Sequence, residues 1–290
     1  MSAVETPSGK GAGDENFPVG SWLLPARLRP HVAAYYAFAR AIDDIADNPG
    51  LAPDDKLERL GRMADAIVHG SGDPALATAE RLRASLAATG VPQRHAVDLV
   101  DAFRQDAVQS RYSSWEELIG YCDRSAAPVG RFLLDLHGEP RHLHAAADAL
   151  CNALQVINHL QDMGDDRRTL DRVYLPLPWL AEAGCGVDDL DRPALTRGLR
   201  SVLDRCLDGV DRLLATSRAL APAMVSGRLA AETGIIQRIA ETLSRRLRRE
   251  DPLAGRVALG KAGFAAAAAA GLAGTLAARW TGGAGRRQRA

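Results

Sequence analysis

The 290-residue sequence is poor in aromatic residues, 5% of the chain, and has only four cysteines, Cys122, Cys151, Cys185 and Cys206, none in a C-x-x-C pair. That scarcity excludes a disulfide scaffold and zinc-ribbon spacing, and it points to a reducing, cytoplasmic setting. Neither charge is in excess, since 36 Lys and Arg balance 36 Asp and Glu. No overall field draws the chain to nucleic acid, so charge-based function must come from local clusters. The first fifteen residues, MSAVETPSGKGAGDE, lack an apolar run and read as a flexible tail rather than a secretion signal. Strict apolar–polar alternation over five or more residues is hard to find. With no clear strand there is no strand for a G-x-G-x-x-G turn to follow, and no nicotinamide cofactor is expected.

What the sequence has is helical periodicity. Apolar residues make up 47% of it, enough for a large buried core, and recur at three- and four-residue spacing almost throughout. Prolines stand where helices should begin, at Pro53, Pro74 and Pro92, and Pro49-Gly50, Gly70-Ser71-Gly72 and Gly90 supply stops. Further helices are predicted over 30–47, 114–137, 141–166, 192–220, 228–250 and 254–279, with 174–186 as the main irregular connection. No Ser/Gly linker or repeat divides the chain. The expectation is one compact all-α domain over 16–260, after a tail at 1–15 and before an alanine-rich helix and basic tail at 261–290. The uncharged run AGFAAAAAAGLAGTLAA at 262–278 is short and weakly hydrophobic for a membrane span. A helix packed on the domain is expected, with a peripheral membrane contact as the alternative.

Two acidic clusters interrupt this pattern. Asp43 and Asp47 follow the apolar stretch AAYYAFARAI, and Asp162 and Asp166 follow ADALCNALQVI. In a helix, residues four apart share a face, so each pair makes a ledge of two carboxylates one turn tall. Like charges at that spacing repel, and where they continue a buried face they need a cation. Mg²⁺, with oxygen ligands and retained waters, is the usual partner near phosphate. The competing reading of either cluster is an exposed acidic helix end. Asn158 extends the second pair into an i, i+4, i+8 column. Arg40 precedes the first and suits either an Arg–Asp helix pair or a diphosphate oxygen.

Three ordered segments, YYAFARAIDDIAD (35–47), YCDRSAAPVGRFLL (121–134) and LQVINHLQDMGDDRRTLDRVYLP (154–176), resemble the squalene and phytoene synthase family over about residues 15–260. The resemblance implies an isoprenoid synthase-type helical bundle around a central apolar cavity, with two aspartate-rich helices facing each other across it. It implies two or three Mg²⁺ ions bridging a substrate diphosphate. Asp43, Asp47, Asp162 and Asp166 would be the metal-binding aspartates, with Asn158 beside them. Ser21, Tyr36, Arg40, Tyr174 and Arg256 fall where family members contact diphosphate.

Within the family, ENFPVGSWLLP, SAAPVGR and HLQD…LDRVYLP are most similar to the branch that adds water to presqualene diphosphate to give hydroxysqualene in bacterial hopanoid biosynthesis. That branch works with a sister enzyme that makes presqualene diphosphate from two farnesyl diphosphates. Head-to-head condensation of farnesyl diphosphate by this chain is the alternative. Two positions depart from the family: Gln161 stands where some relatives have arginine, and Asp171 where many have glycine, a change expected to alter only a turn.

Ionising such a diphosphate leaves a carbocation that must be shielded. Tyr35, Phe38, Tyr121 and Phe132 lie in segments suited to that, although buried aromatics more often simply pack. PVG at 128–130 suits a helix break near substrate or an ordinary proline kink. Two other function classes compete. A di-metal carboxylate oxygenase needs Glu-x-x-His ligands that the seven histidines do not supply. A helical membrane-surface protein would use RRLRRE (245–250) and the alanine-rich C-terminus, yet a basic run is more often a solvated helix face.

Overall fold

The computed structural model describes residues 4, 5 and 23–287, with side chains to residue 281. Along the chain run α1 (Arg29–Asp47), α2 (Pro53–His69), α3 (Ala77–Thr89), α4 (Arg94–Asp106), strand β1 (Arg111–Tyr112), α5 (Trp115–Ser125), α6 (Ala127–His137) and α7 (His144–Leu170). Strand β2 (Val173–Pro176), α8 (Leu177–Glu182), α9 (Arg197–Ser217), α10 (Leu220–Ala223), α11 (Gly227–Leu247) and α12 (Lys261–Arg287) follow. Prolines occupy the first turn of α1, α2, α6 and α8, where the missing N–H has no intrahelical partner to lose. Gly70, Gly90 and Gly138 end α2, α3 and α6 with positive φ. Thr196 and Ser226 cap α9 and α11 by accepting from the backbone N–H three residues on.

Several local expectations needed correction, among them the helix expected from 254, which begins at Lys261. The helix expected over 114–137 breaks at Ala126 (φ −124°, ψ −46°), because Pro128 fits a first turn but not a helix interior. The stretch expected at 192–220 starts later, at Arg197, where Thr196 supplies the cap. The connection expected to be irregular at 174–186 contains β2 and α8. Strand β2 pairs in parallel with β1, Arg111 opposite Val173, with an irregularity before Tyr112 meets Pro176. A two-residue strand is too short to show alternation, so the sequence pattern carried no sign of it.

The chain divides into two compact units, Met1–Gln109 with Asp123–Gly138, and Ser110–Cys122 with Glu139–Ala290. In the first, α1 packs on α2, α3 and α4, and α4 on α6. Phe38, Ile42 and Ile45 of α1 are fully buried, as are Leu60, Met63 and Ile67 of α2. The Tyr35 ring stacks on Phe132 at 4.0 Å while its hydroxyl donates to the His95 carbonyl at 2.9 Å. A buried tyrosine thereby has both its ring and its polar tip accommodated.

In the second unit α7 packs along α9, and α11 along α12. Gly209 lets Trp115 lie against α9, since a Cβ there would sit 2.3 Å from the indole. The Trp115 ring stacks on Trp179, which Arg205 covers at 4.0 Å. The α11–α12 seam is close for the same reason: a Cβ on Gly271 would come within 2.4 Å of the Gly234 carbonyl oxygen.

Candidate active site

The first aspartate ledge occupies the last two turns of α1. Arg40 grips two carboxylates, Asp43 at 2.9 Å and Asp44 at 2.8 Å. The helix pair, one of the two readings of Arg40, is formed. Burial works against the Arg40 charge, but the adjoining Asp43 and Asp44 more than offset it and hold its pKa above the ordinary value. The Asp44 carboxylate is nearly enclosed, whereas that of Asp43 remains 26% exposed. Burial, reinforced by the Asp47 charge one turn on and opposed by Arg40, raises the Asp43 carboxyl to about 7. The Asp44 and Asp106 carboxylates push it the same way. Asp106, the buried last residue of α4, did not stand out in the sequence, and only the packing of α4 on α1 brings its charge to bear. Tyr36, half-buried, lies one turn before Arg40, and Phe38 is fully buried in this unit's core. Ser21 lies outside the described residues.

The second ledge lies near the end of α7. Asn158, Asp162 and Asp166 are all half-buried, on the side of the helix away from Ile157, Leu160 and Met163. Four residues past Asp166 the helix stops, and the backbone N–H groups of Asp171 and Arg172 both turn back to the Asp166 carbonyl. Asp171 takes φ 50°, the one positive φ outside glycine among the described residues. Its carboxylate meets Arg111 of β1 at 2.6 Å and also pairs with Arg167. The hydrogen bond from Arg111 leads in holding the Asp171 pKa below the ordinary range. The departure from glycine thus does more than alter a turn: it ties the end of α7 to β1. Gln161 is buried and donates to the Val257 carbonyl, fastening α7 to the connection before α12. Arg256, in that same connection, is exposed.

Strand β2 carries Tyr174 into a cluster of four rings. His159, next to Asn158 on α7, stacks on Tyr174 at 3.5 Å and 12°. Tyr112 and Tyr121 lie 5.6 and 5.8 Å from Tyr174, and Tyr121 lies 6.0 Å from His159. Burial, with the Arg172 charge adding to it, lowers the His159 pKa to about 3, so the imidazole stays neutral. His159 and Tyr112 were missed by the sequence reading. Gln155 and His159 recur four apart beside the Asn158 column, but nothing local marks a partner from β2.

Among the described residues, no three His, Cys, Asp or Glu side chains gather as a closed metal cage. A ledge of two carboxylates is a different donor set, of the kind Mg²⁺ takes together with retained waters and substrate phosphate.

A family model described as squalene/phytoene synthase matches residues 11–262. The chain belongs to the squalene/phytoene synthase family. Its relatives include hydroxysqualene synthase of Rhodopseudomonas palustris, 46% identical over 89% of this chain and 88% of that protein. Hydroxysqualene synthase of Zymomonas mobilis is 41% identical over 93% and 92%. Phytoene synthase of Cereibacter sphaeroides is 34% identical over 71% of this chain and 61% of that protein. Among solved structures, squalene synthase HpnC from Alicyclobacillus acidocaldarius superposes with a TM-score of 0.71 at 30% identity, covering 80% of this chain and 87% of that one. A dehydrosqualene synthase gives 0.72 at 20% identity, covering 89% and 90%, which speaks for the fold alone. The all-helical isoprenoid-synthase fold expected from the sequence is the fold of this squalene/phytoene synthase family member, which is an enzyme acting on prenyl diphosphates.

Proposed function

We propose that this enzyme converts presqualene diphosphate and water to hydroxysqualene and diphosphate. The observation that carries the reading is the 46% and 41% identity, over about nine-tenths of the chain, to two hydroxysqualene synthases. In the proposed reaction the C–O bond to diphosphate breaks with its electron pair leaving on oxygen. The rearranged cation then takes the oxygen of water, which sheds a proton. A protein serves this by stabilising the leaving anion and delaying capture of the cation.

The residues fit Mg²⁺. Asp43 sits in a site where burial and the Asp47 charge both disfavour its ionised form, which a divalent cation beside the ledge would relieve. Asp43 and Asp47 would hold the metal on α1, and Asn158, Asp162 and Asp166 on α7. When bound, Mg²⁺ supplies Lewis-acid stabilisation of the departing diphosphate. Arg40 is proposed to steady Asp43 and to donate to a diphosphate oxygen. Tyr36, Tyr174, Ser21 and Arg256 are proposed to donate to diphosphate oxygens, and Phe38 and Tyr121 to border the hydrocarbon chain.

A separate presqualene diphosphate synthase would supply the substrate. The reaction needs no hydride donor. The enzyme is proposed to work on the cytoplasmic side, with substrate and product exchanged through lipid at a peripheral membrane contact. The test is to supply the purified protein with Mg²⁺ and either presqualene diphosphate or farnesyl diphosphate and identify products by mass spectrometry. Hydroxysqualene from presqualene diphosphate alone is expected. Squalene or presqualene diphosphate from farnesyl diphosphate would assign the chain to the condensing branch.

A further inference from the structure

Helix α12 has two unlike faces. One is docked: Ala267, Gly271 and Thr275 are turned to α11, where Gly234 allows contact closer than a side chain would permit. Arg279 fastens the far end by donating to the Met224 carbonyl. The other face is open and apolar. Leu272, Leu276 and Trp280 recur every four residues within an arc of about 80° and are 37%, 59% and 82% exposed, and Phe264, near the start of the helix, is 36% exposed. Four of the seven large exposed hydrophobic residues among the described residues therefore lie on this one helix. Such a concentration is a sign of an interaction surface rather than of ordinary surface leucines.

Charge identifies the partner. From Pro252 to Ala290 the sequence has six basic residues, Arg256, Lys261, Arg279, Arg286, Arg287 and Arg289, and no acidic one, although the whole chain is neutral. An apolar helix with Lys261 at one end of its uncharged run and Arg286, Arg287 and Arg289 beyond the other in sequence matches an anionic bilayer surface, where tryptophan favours the headgroup boundary. Spanning is the poorer fit. The uncharged stretch between Lys261 and Arg279 is seventeen residues, about 26 Å at helical rise, mostly alanine and short of a hydrocarbon core of about 30 Å.

We propose that α12 is a peripheral anchor, lying in the interface of an anionic membrane with its Leu272–Trp280 stripe immersed and its Gly271 side still docked on α11. The inference gives a structural form to the lipid contact suggested above, but vesicle binding does not require the proposed reaction, so either can fail alone.

The test is flotation of the full-length protein with vesicles of phosphatidylcholine, alone or with roughly a third phosphatidylglycerol. Wild type should float with the anionic vesicles, and salt at about 0.5 M should release it. The L276D/W280D variant should lose about tenfold or more in partition. It should keep the wild-type melting temperature and the wild-type turnover of detergent-dispersed substrate. Equal flotation of variant and wild type, or no preference for anionic vesicles, would overturn the proposal. So would resistance to alkaline carbonate extraction, which marks a spanning helix. A wild-type dimer that the variant converts to monomer, without vesicle binding, would give the face to a second copy instead.

Discussion

His159 lies flat on Tyr174 with ring centroids 3.5 Å apart, so a neutral imidazole on α7 sets the ring plane of a tyrosine on β2. If the Tyr174 hydroxyl serves the diphosphate and the stack serves position, the two variants separate. Tyr174→Phe should keep the melting temperature and lower kcat/KM roughly ten- to a hundredfold, the worth of one hydrogen bond to a charged group. His159→Phe should keep both stability and most activity, while His159→Ala opens a hole and costs more than about 2 kcal/mol of stability. Thermal melts with steady-state kinetics on the three proteins check this.

The aspartate ledges are expected to serve metal rather than packing. Asp43→Asn and Asp162→Asn should each reduce turnover by about a thousandfold or more while the far-ultraviolet circular dichroism is unchanged. Mg²⁺ should raise the wild-type melting temperature and raise that of either variant less. Mg²⁺-dependent turnover retained in purified Asp162→Asn would remove the claim.

Asp43 and His159 push the pH dependence of stability in opposite directions. The Asp43 pKa is raised from 3.8 to about 7, so between those values the folded state holds a proton the unfolded chain has released. Its contribution therefore strengthens as pH falls. The His159 pKa is lowered from 6.5 to about 3, so below 6.5 the unfolded chain binds a proton the folded state refuses, and stability falls with pH. From pH 8 to 7 the effect of Asp43 outweighs that of His159. The metal-free protein should gain stability across that window, and Asp43→Asn should flatten the gain and be the more stable form at pH 8. Denaturant midpoints with chelator present measure it.

Much of this was legible because helices advertise themselves: the 3.6-residue period, proline starts and glycine stops placed α1 and α2 to within a residue or two, and the period placed the start of α11 equally well. The ledges were legible for the same reason, being i, i+4 patterns within one helix. What escaped depends on contacts far apart in sequence. Tyr112, Tyr121, His159 and Tyr174 are scattered over more than sixty positions, and only the β1–β2 pairing draws them together. The charge of Asp106 reaches Asp43 only through the packing of α4 on α1. The break at Ala126 was half visible, since Pro128 permits either a kink within a helix or the first turn of a new one.

Asp171 offers a test of how such a departure is tolerated. Asp171→Gly relieves the left-handed strain but gives up exposed ion pairs with Arg111 and Arg167, and the two effects should leave stability within about 1 kcal/mol of wild type. Asp171→Ala loses the pairs without relieving the strain and should cost about 1 kcal/mol more than the glycine variant. Urea denaturation of the two variants side by side decides it.

The most direct measurement of the central claim is the fate of oxygen. Presqualene diphosphate and Mg²⁺ are given to the enzyme in ¹⁸O-labelled water, and the product alcohol is analysed by mass spectrometry. Carbon–oxygen ionisation followed by capture of water predicts hydroxysqualene carrying one solvent ¹⁸O, formed without any nicotinamide. An alcohol that retains the unlabelled ester oxygen, as simple phosphate hydrolysis would give, or no alcohol at all, would contradict it.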